Sequence, residues 1–141
     1  MYQELVSTQD EALSHLFFHC CFKDGEFTKE EIKTVSDKIV GAGINTGLNF
    51  TEEIQKYKSY RSAITNDVEY IAYLVNLISP INELALFSYC VELFLSDSSI
   101  ETVEETLIDT LAQALNIDDA EKTGIQKLMV QRKIVETEKI F

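Results

Sequence analysis

The sequence predicts an all-α fold, a single-domain bundle of about seven helices, and three observations support that prediction. Helix-capping signals recur along the chain, apolar residues between them follow three-and-four spacing, and the 141 residues include one Pro and five Gly. An all-β domain needs many turns, which so few Pro and Gly residues would not supply. Because most domains contain about 100–150 residues and no linker is visible, we expect residues 1–141 to form one domain.

The capping signals mark where each helix begins. A side-chain oxygen at the cap accepts a hydrogen bond from an early backbone N–H, and in a capping box a Glu three residues on returns the bond. The predicted caps are Thr8, Thr28, Asn66, Ser79 ahead of Pro80, Thr102 and Asp118. Together with the apolar spacing they predict helices near residues 9–23, 28–41, 51–64, 67–78, 80–95, 101–116 and 119–136. The helices at 67–78 and 80–95 are apolar nearly all round, so we expect them in the middle of the bundle.

Cysteine usage and the absence of targeting signals predict a cytoplasmic protein. Cys20, Cys21 and Cys90 lie in apolar segments, and an odd count with two neighbours adjacent is unsuited to a disulfide framework. We expect small buried thiols, which fit a reducing compartment. The first residues lack a basic n-region, and the apolar runs are shorter than the roughly 20 residues that cross a bilayer. We therefore expect no signal peptide and no insertion of this chain into a membrane.

Negative charge dominates the chain and is unevenly distributed. The formal net charge is −12, and the sequence pI is about 4.5. Residues 62–121 contain no Lys or Arg but twelve acids, namely Asp67, Glu69, Glu83, Glu92, Asp97, Glu101, Glu104, Glu105, Asp109, Asp118, Asp119 and Glu121. Nucleic acids and anionic membranes would repel such a chain, so we expect neither as a partner. The acidic stretch predicts a solvated surface, a divalent-cation site or a surface for a basic partner.

An internal repeat is the most informative feature of the sequence. Residues 16–35 and 89–108 align at an offset of 73 positions, from 16 to 89. Each copy consists of an apolar helix, a short turn opened by Asp, and a second helix with Glu seven residues after that Asp. The matched acids are Asp24 with Asp97 and Glu31 with Glu104. A duplicated helix–turn–helix predicts a pseudo-symmetric bundle, in which we expect the two Asp turns to lie on one face.

At these residues the chain resembles the TerB-like family, which is named for the tellurite-resistance protein TerB. The family motif is a small residue, Asp-Gly, five variable residues and Glu within a helix–turn–helix. The first copy, from Asp24-Gly25 to Glu31, fits this motif with Lys23 in place of the small residue. In the second copy Ser98 stands where the family commonly has Gly. The resemblance covers both repeats and the helices that flank them.

The resemblance implies a compact, non-enzymatic, all-helical domain whose acidic residues gather on one side. It also implies a role in bacterial stress responses to tellurite and other toxic agents, together with binding of a divalent metal. A protein partner within a membrane-associated complex is part of the same expectation. A homodimer is compatible with it.

The four matched acids are the candidate metal site, with calcium or magnesium as the expected cofactor. Both ions take carboxylate oxygens as ligands, and Asp24, Glu31, Asp97 and Glu104 would supply them from two turns. A structural role explains the same residues, because Glu31 would close the Thr28 capping box and Asp before Gly is a common turn pair. The two roles are compatible, since a capping Glu keeps one carboxylate oxygen free.

Neighbouring residues supply the secondary candidates, namely His19, Glu92, Glu26 and Glu101. His19 and Glu92 each precede the Asp of their repeat by five positions. His15 lies one helical turn before His19, so the two rings either share a transition metal or are buried and hydrogen-bonded. The sequence shows no nucleophile motif and no Ser/His/Asp pattern, and we predict that the protein is not an enzyme.

Two other functions remain open beside the TerB-like binding module that we favour. One is a metal-free scaffold whose acidic face docks a basic partner. The other is a small-ligand carrier or an enzyme with a pocket among the apolar helices. Metal titration separates the first of these from the favoured function, and a large internal pocket would favour the second.

Duplex DNA is expected not to bind at physiological salt, because the chain offers a net charge of −12 and no basic patch. Fluorescence anisotropy with a labelled duplex measures this directly. A tight complex that weakens with added salt would contradict the prediction.

Overall fold

Helices make up most of the described part of the chain, and no strand occurs in that part. The computed structural model describes residues 1–21, 32–33, 35–37, 47–95 and 102–141, with side chains from 105 onward in the last range. The helices are α1 (Tyr2–Leu5), α2 (Gln9–Cys21), α3 (Phe50–Arg61), α4 (Asp67–Ile78), α5 (Glu83–Phe94), α6 (Thr102–Ala114) and α7 (Asp119–Glu138). Residues 32–33 and 35–37, within the predicted helix 28–41, are also helical. The predicted all-α fold is confirmed.

Three predicted caps are present at the starts of their helices. The Thr8 hydroxyl accepts a bond from the Glu11 N–H at 3.2 Å, and the Glu11 carboxylate accepts from the Thr8 N–H at 3.2 Å. Asp118 and Glu121 form the same reciprocal pair ahead of α7. At α4 the Asn66 side chain accepts from the third N–H of the helix. Two further cap side chains lie outside the described ones, namely Thr28 and Thr102.

Ser79-Pro80 ends a helix instead of starting one, which corrects the prediction. Ser79 has left-handed backbone angles, φ 47° and ψ 59°, and its N–H donates to the carbonyl of Val75 at 2.8 Å. Pro80 cannot continue the helix because it has no N–H to donate. As a result α5 begins at Glu83, three residues later than predicted, with Asn82 as its cap residue.

α6 also ends at a left-handed residue, Asn116, with φ 58°. The Ile117 N–H donates to the Ala112 carbonyl at 2.8 Å, and the Asn116 N–H donates to the Gln113 carbonyl at 3.2 Å. This pair of bonds is a Schellman motif, which satisfies carbonyls that the end of the helix leaves open. Asn adopts left-handed angles more readily than most residues, so it serves here where Gly is commonest.

α2 occupies the most buried position in the bundle. It packs against α3, α4 and α5, and nine of its 13 residues are buried. The second half of the bundle is built on α5, which contacts α6 and α7, while α4 packs on α6. We expected α4 and α5 in the middle, but α4 buries four of its 12 residues and keeps one side open. All three cysteines are buried free thiols, as predicted.

Replacing Ser79 by Gly is expected to stabilise the protein by about 0.5–1 kcal/mol. Left-handed angles cost an L-residue about 1–2 kcal/mol, and the greater chain entropy of Gly cancels only part of that gain. Ser79 is exposed, so no packing is lost. Urea unfolding of wild type and S79G measures the difference.

Asn116→Gly is the matched control, with a smaller expected gain because Asn already tolerates these angles. Ser79→Val should destabilise the protein, since a β-branched side chain is most strained there. A lower stability for S79G would contradict the account of this helix end.

Candidate functional site

Most of the predicted metal ligands lie outside the described residues. These are Asp24, Glu31, Asp97, Glu26 and Glu101. The backbone of Glu104 is described within α6, but its side chain is not. Across the described side chains, no three His, Cys, Asp or Glu residues come together to hold a metal ion. The site formed by the four matched acids therefore stays a prediction.

The helices that precede the two turns, α2 and α5, are in contact and begin at the same end of the bundle. At the start of α2 the Gln9 side chain donates to the carbonyl of Ile78 at 2.7 Å, five residues before α5 begins. Further along, the rings of Phe17 in α2 and Tyr89 in α5 lie close together, with their centroids 6.4 Å apart. The second halves of the two helices therefore meet, and α2 and α5 run in the same sense.

Two candidate ligands have described side chains, His19 in α2 and Glu92 in α5. Glu92 is half-buried, whereas His19 is buried and both of its ring nitrogens are hydrogen-bonded. Its Nδ1 atom lies 2.8 Å from the Tyr57 hydroxyl, and its Nε2 atom lies 3.0 Å from Oδ1 of Asp67. A metal ion at His19 would have to displace one of these bonds.

His15 lies in a second buried set of hydrogen bonds, one helical turn earlier. Its Nε2 atom lies 3.0 Å from Oε1 of Glu53, and its Nδ1 atom lies 2.6 Å from the Tyr60 hydroxyl. The Tyr60 hydroxyl lies 2.5 Å from that of Tyr70. The second oxygen of Glu53 accepts from Lys56 at 3.1 Å, so this buried carboxylate is bonded on both oxygens.

The two carboxylates fix the direction of these bonds. An ionised carboxylate can only accept, so we assign the Nε2 proton to each ring as the donor to its carboxylate. The Nδ1 atom of each ring then accepts from its tyrosine, and the Tyr60 oxygen in turn accepts from the Tyr70 hydroxyl. α2 thus carries two Tyr–His–carboxylate chains, each with a neutral imidazole.

Burial lowers the pKa of both imidazoles below its usual range. For His15 this effect outweighs the hydrogen bond and the charge of Glu53, which favour the protonated ring. For His19 it outweighs the same two influences from Asp67. Burial also raises the pKa of the tyrosine hydroxyls, which keeps them protonated as donors. The electrostatics therefore agree with neutral rings that accept from neutral phenols.

These chains connect helices rather than form an accessible reactive centre. His15 is 0% exposed and His19 is 3% exposed, so solutes do not reach either ring in the folded protein. Hydrogen bonds to charged groups contribute about 1.5–3 kcal/mol each to stability. His15 ties α2 to α3, and His19 ties α2 to both α3 and α4. The sequence left two roles open for the histidines, a shared transition-metal site or burial with hydrogen bonds. In the structure both rings are buried and hydrogen-bonded.

The partners of the histidines were not predicted, although a weak signal for them exists. His15 and His19 share one face of α2 at four-residue spacing, and Tyr57 and Tyr60 share one face of α3 at three-residue spacing. The spacing shows that the two side chains of each pair lie on the same face of their helix. It does not show which other helix that face packs against. The hydrogen bonds span 38 to 48 residues of sequence, beyond the reach of a local pattern.

No helix in the described part of the chain combines the length and the apolar character that a membrane crossing requires. No protein-family model matches the chain, and neither a curated protein nor a solved structure matches it. The TerB-like resemblance stays a hypothesis based on the two repeats.

Acidification from pH 7 to pH 5 is expected to destabilise the protein through its two histidines. The unfolded chain binds protons near pH 6.5, while the folded chain, with lowered histidine pKa values, does not. The contribution of the two histidines to the free energy of unfolding is therefore fully present above about pH 7. It decreases as the pH falls, by up to about 1.4 kcal/mol per pH unit for each ring. Urea unfolding at a series of pH values measures this slope.

The chain contains two histidines, so each single variant should remove part of the slope. Glu11 and Asp67 also have lowered pKa values, but their contribution is lost nearer pH 4. His15→Gln and His19→Gln therefore serve as matched tests between pH 6.5 and pH 5. A wild-type stability that is constant or rises on acidification in this window would show that the rings protonate freely in the fold.

Proposed function

We propose that this chain is a non-enzymatic, stress-associated binding module of the TerB-like kind. In this proposal its acidic face holds a divalent cation, calcium or magnesium, at Asp24, Glu31, Asp97 and Glu104. The protein acts in the bacterial cytoplasm through a protein partner, within a complex associated with the membrane. The free, buried thiols fit such a reducing compartment.

The packing of α2 on α5 is the observation that favours the metal site. The two helices begin at the same end of the bundle and meet in their second halves, where the rings of Phe17 and Tyr89 lie close together. Each helix leads into one of the two matched Asp turns in the sequence. The last residues of two parallel helices in contact lie at the same end of the bundle, and a cation site shared by the two turns requires that arrangement.

The chemistry of the matched acids suits a hard cation. Calcium takes six to eight oxygen ligands and magnesium six, and both accept carboxylates. Four acids close together repel one another, and a bound cation relieves that repulsion. A site of this kind binds the native state alone, so the ion would stabilise the fold.

The buried positions of the ordinary catalytic groups favour a binding role over an enzymatic one. Both histidines use their ring nitrogens in structural hydrogen bonds. Burial raises the pKa of the Cys20 thiol, which disfavours the nucleophilic thiolate. Neither residue type is therefore poised to react with a substrate at the surface.

A metal-free scaffold that docks a basic partner is the second candidate, and the charge distribution favours it. Residues 62–121 carry twelve acids and no Lys or Arg. α4, α5 and the exposed side of α6 belong to this stretch, so their surface attracts cations whether or not a metal is bound.

Replacing Asp24 and Asp97 together by Asn should abolish any rise in melting temperature caused by calcium or magnesium. The metal-free variant should be as stable as wild type or more stable, because one source of like-charge repulsion is gone. Thermal melts with millimolar calcium, with millimolar magnesium and with a chelator measure both effects.

Glu136→Gln with Glu138→Gln is the matched control, since it removes the same charge from the exposed end of α7. This control should keep the metal-dependent rise. If neither calcium nor magnesium raises the melting temperature of wild type, the proposed metal site is wrong and the metal-free scaffold remains as the proposed function. A large loss of metal-free stability in the Asp24/Asp97 variant would show that these residues are chiefly structural.

A further inference from the structure

A groove opens at the end of the bundle where α4 and α6 finish and α5 begins. Its walls include Tyr73 and Asn76 of α4, Glu83 of α5 and Asn116 after α6, and its volume is about 830 Å³. Ligand pockets in proteins commonly measure about 300–1,000 Å³. The groove is therefore large enough for several side chains of a partner.

An apolar ledge borders this groove and consists of Ile81, Leu84 and Ile117. These residues line a second, adjoining groove of about 380 Å³ that shares Glu83 and Asn116 with the first. Ile81 is 97% exposed and Leu84 is 39% exposed, so the ledge offers apolar surface to a ligand. A single exposed apolar residue is ordinary, but a set of them beside a groove is typical of a binding surface.

Both grooves are negatively charged. Among the described residues that line them none is Lys or Arg, whereas Glu69, Glu83 and Glu121 are acidic. Concave surfaces lined by one sign of charge concentrate the field and raise the local concentration of ions of opposite sign.

The helix ends at the groove add negative potential. α4 and α6 both finish there, and their left-handed end residues Ser79 and Asn116 line the first groove. The carboxyl end of a helix carries a partial negative charge of about half an electron. The amino end of α5 also lies there, but its first residue is Glu83, whose carboxylate offsets that end's positive charge.

We propose that the two grooves together bind a cationic amphipathic segment of a partner protein. Its Lys or Arg side chains pair with Glu69, Glu83 and Glu121 and with the carbonyl ends of α4 and α6. Its apolar side chains cover the ledge at Ile81 and Leu84. This inference rests on the scaffold function and adds to it the site and the chemistry of the partner; it is independent of the metal site.

The occupant follows from the combination of surfaces. A purely basic, flexible tail would satisfy the carboxylates but leave the ledge exposed to water. A purely apolar segment would bury Glu83 without a partner, which is unfavourable for a charged group. A helix with one basic and one apolar face satisfies both surfaces, as in other helix-in-groove complexes.

The test uses a labelled Lys/Leu peptide of about 18 residues that forms an amphipathic helix. Binding to the full chain is followed by fluorescence anisotropy, with a chelator present and at two salt concentrations. Glu69→Gln with Glu83→Gln should weaken binding about fivefold or more and reduce its salt dependence. Ile81→Ser should also weaken it, and because this side chain is almost fully exposed the substitution leaves the fold intact.

Glu136→Gln with Glu138→Gln is again the control of equal charge, and a scrambled peptide of the same composition controls for pattern. The proposed groove site would be overturned if the Glu69/Glu83 and Glu136/Glu138 variants lost equal peptide affinity, or if the scrambled peptide bound as tightly as the original. Either result would leave a scaffold that attracts basic partners through its overall negative charge. No saturable binding by wild type would overturn the scaffold function as well. If wild type sediments as a dimer and the variant with Glu69→Gln and Glu83→Gln sediments as a monomer, the groove binds a second copy of this chain and the proposed partner is wrong.

Discussion

The hydrogen-bonded histidines of α2 impose the constraint on which the arrangement of α2, α3 and α4 depends. α2 is the most buried helix, and it carries His15 and His19 into the core. A buried polar group without a partner costs about 1–3 kcal/mol, so the neighbouring helices must present hydroxyls and carboxylates at matching heights. Apolar contacts tolerate small sliding movements, whereas these directional bonds do not. The register of α3 and α4 against α2 is therefore set by polar contacts within an otherwise apolar core.

This register also places the parts of the molecule that are open to ligands. With α4 antiparallel to α2, its carboxyl end lies beside the start of α2, where Gln9 holds Ile78. The chain then turns at Ser79-Pro80 and begins α5 at the same end, so α5 runs alongside α2. One end of the bundle thus gathers the carboxyl ends of α4 and α6, and α2 and α5 run together toward the other end.

The buried acid Glu53 and the acidic stretch of residues 62–121 have separate roles in this protein. Glu53 is used inside the bundle, held by His15 and Lys56, and is unavailable to a ligand. The helices α4, α5 and α6 contain acids but no Lys or Arg, so the field of these acids acts on any cation that approaches. This negatively charged surface would attract either a metal ion or a basic helix. The proposed functions therefore differ in the ligand and its place, rather than in the principle of recognition.

The sequence by itself determined most of the helices, because the interactions that start a helix span only three or four residues, although it did not predict the short helix α1. The boxes at Thr8 and Asp118 lie where the pattern predicted them, and α4 has the predicted bounds. Ser79-Pro80 was misassigned because Ser and Pro serve both as a start and as a stop, and only the backbone angles distinguish the two. The repeat predicted a pair of acidic turns, which lie outside the described residues. The tertiary structure alone decided that His15 meets Glu53 and that α4, α5 and α6 form a groove, since those contacts join residues tens of positions apart and depend on how whole helices pack.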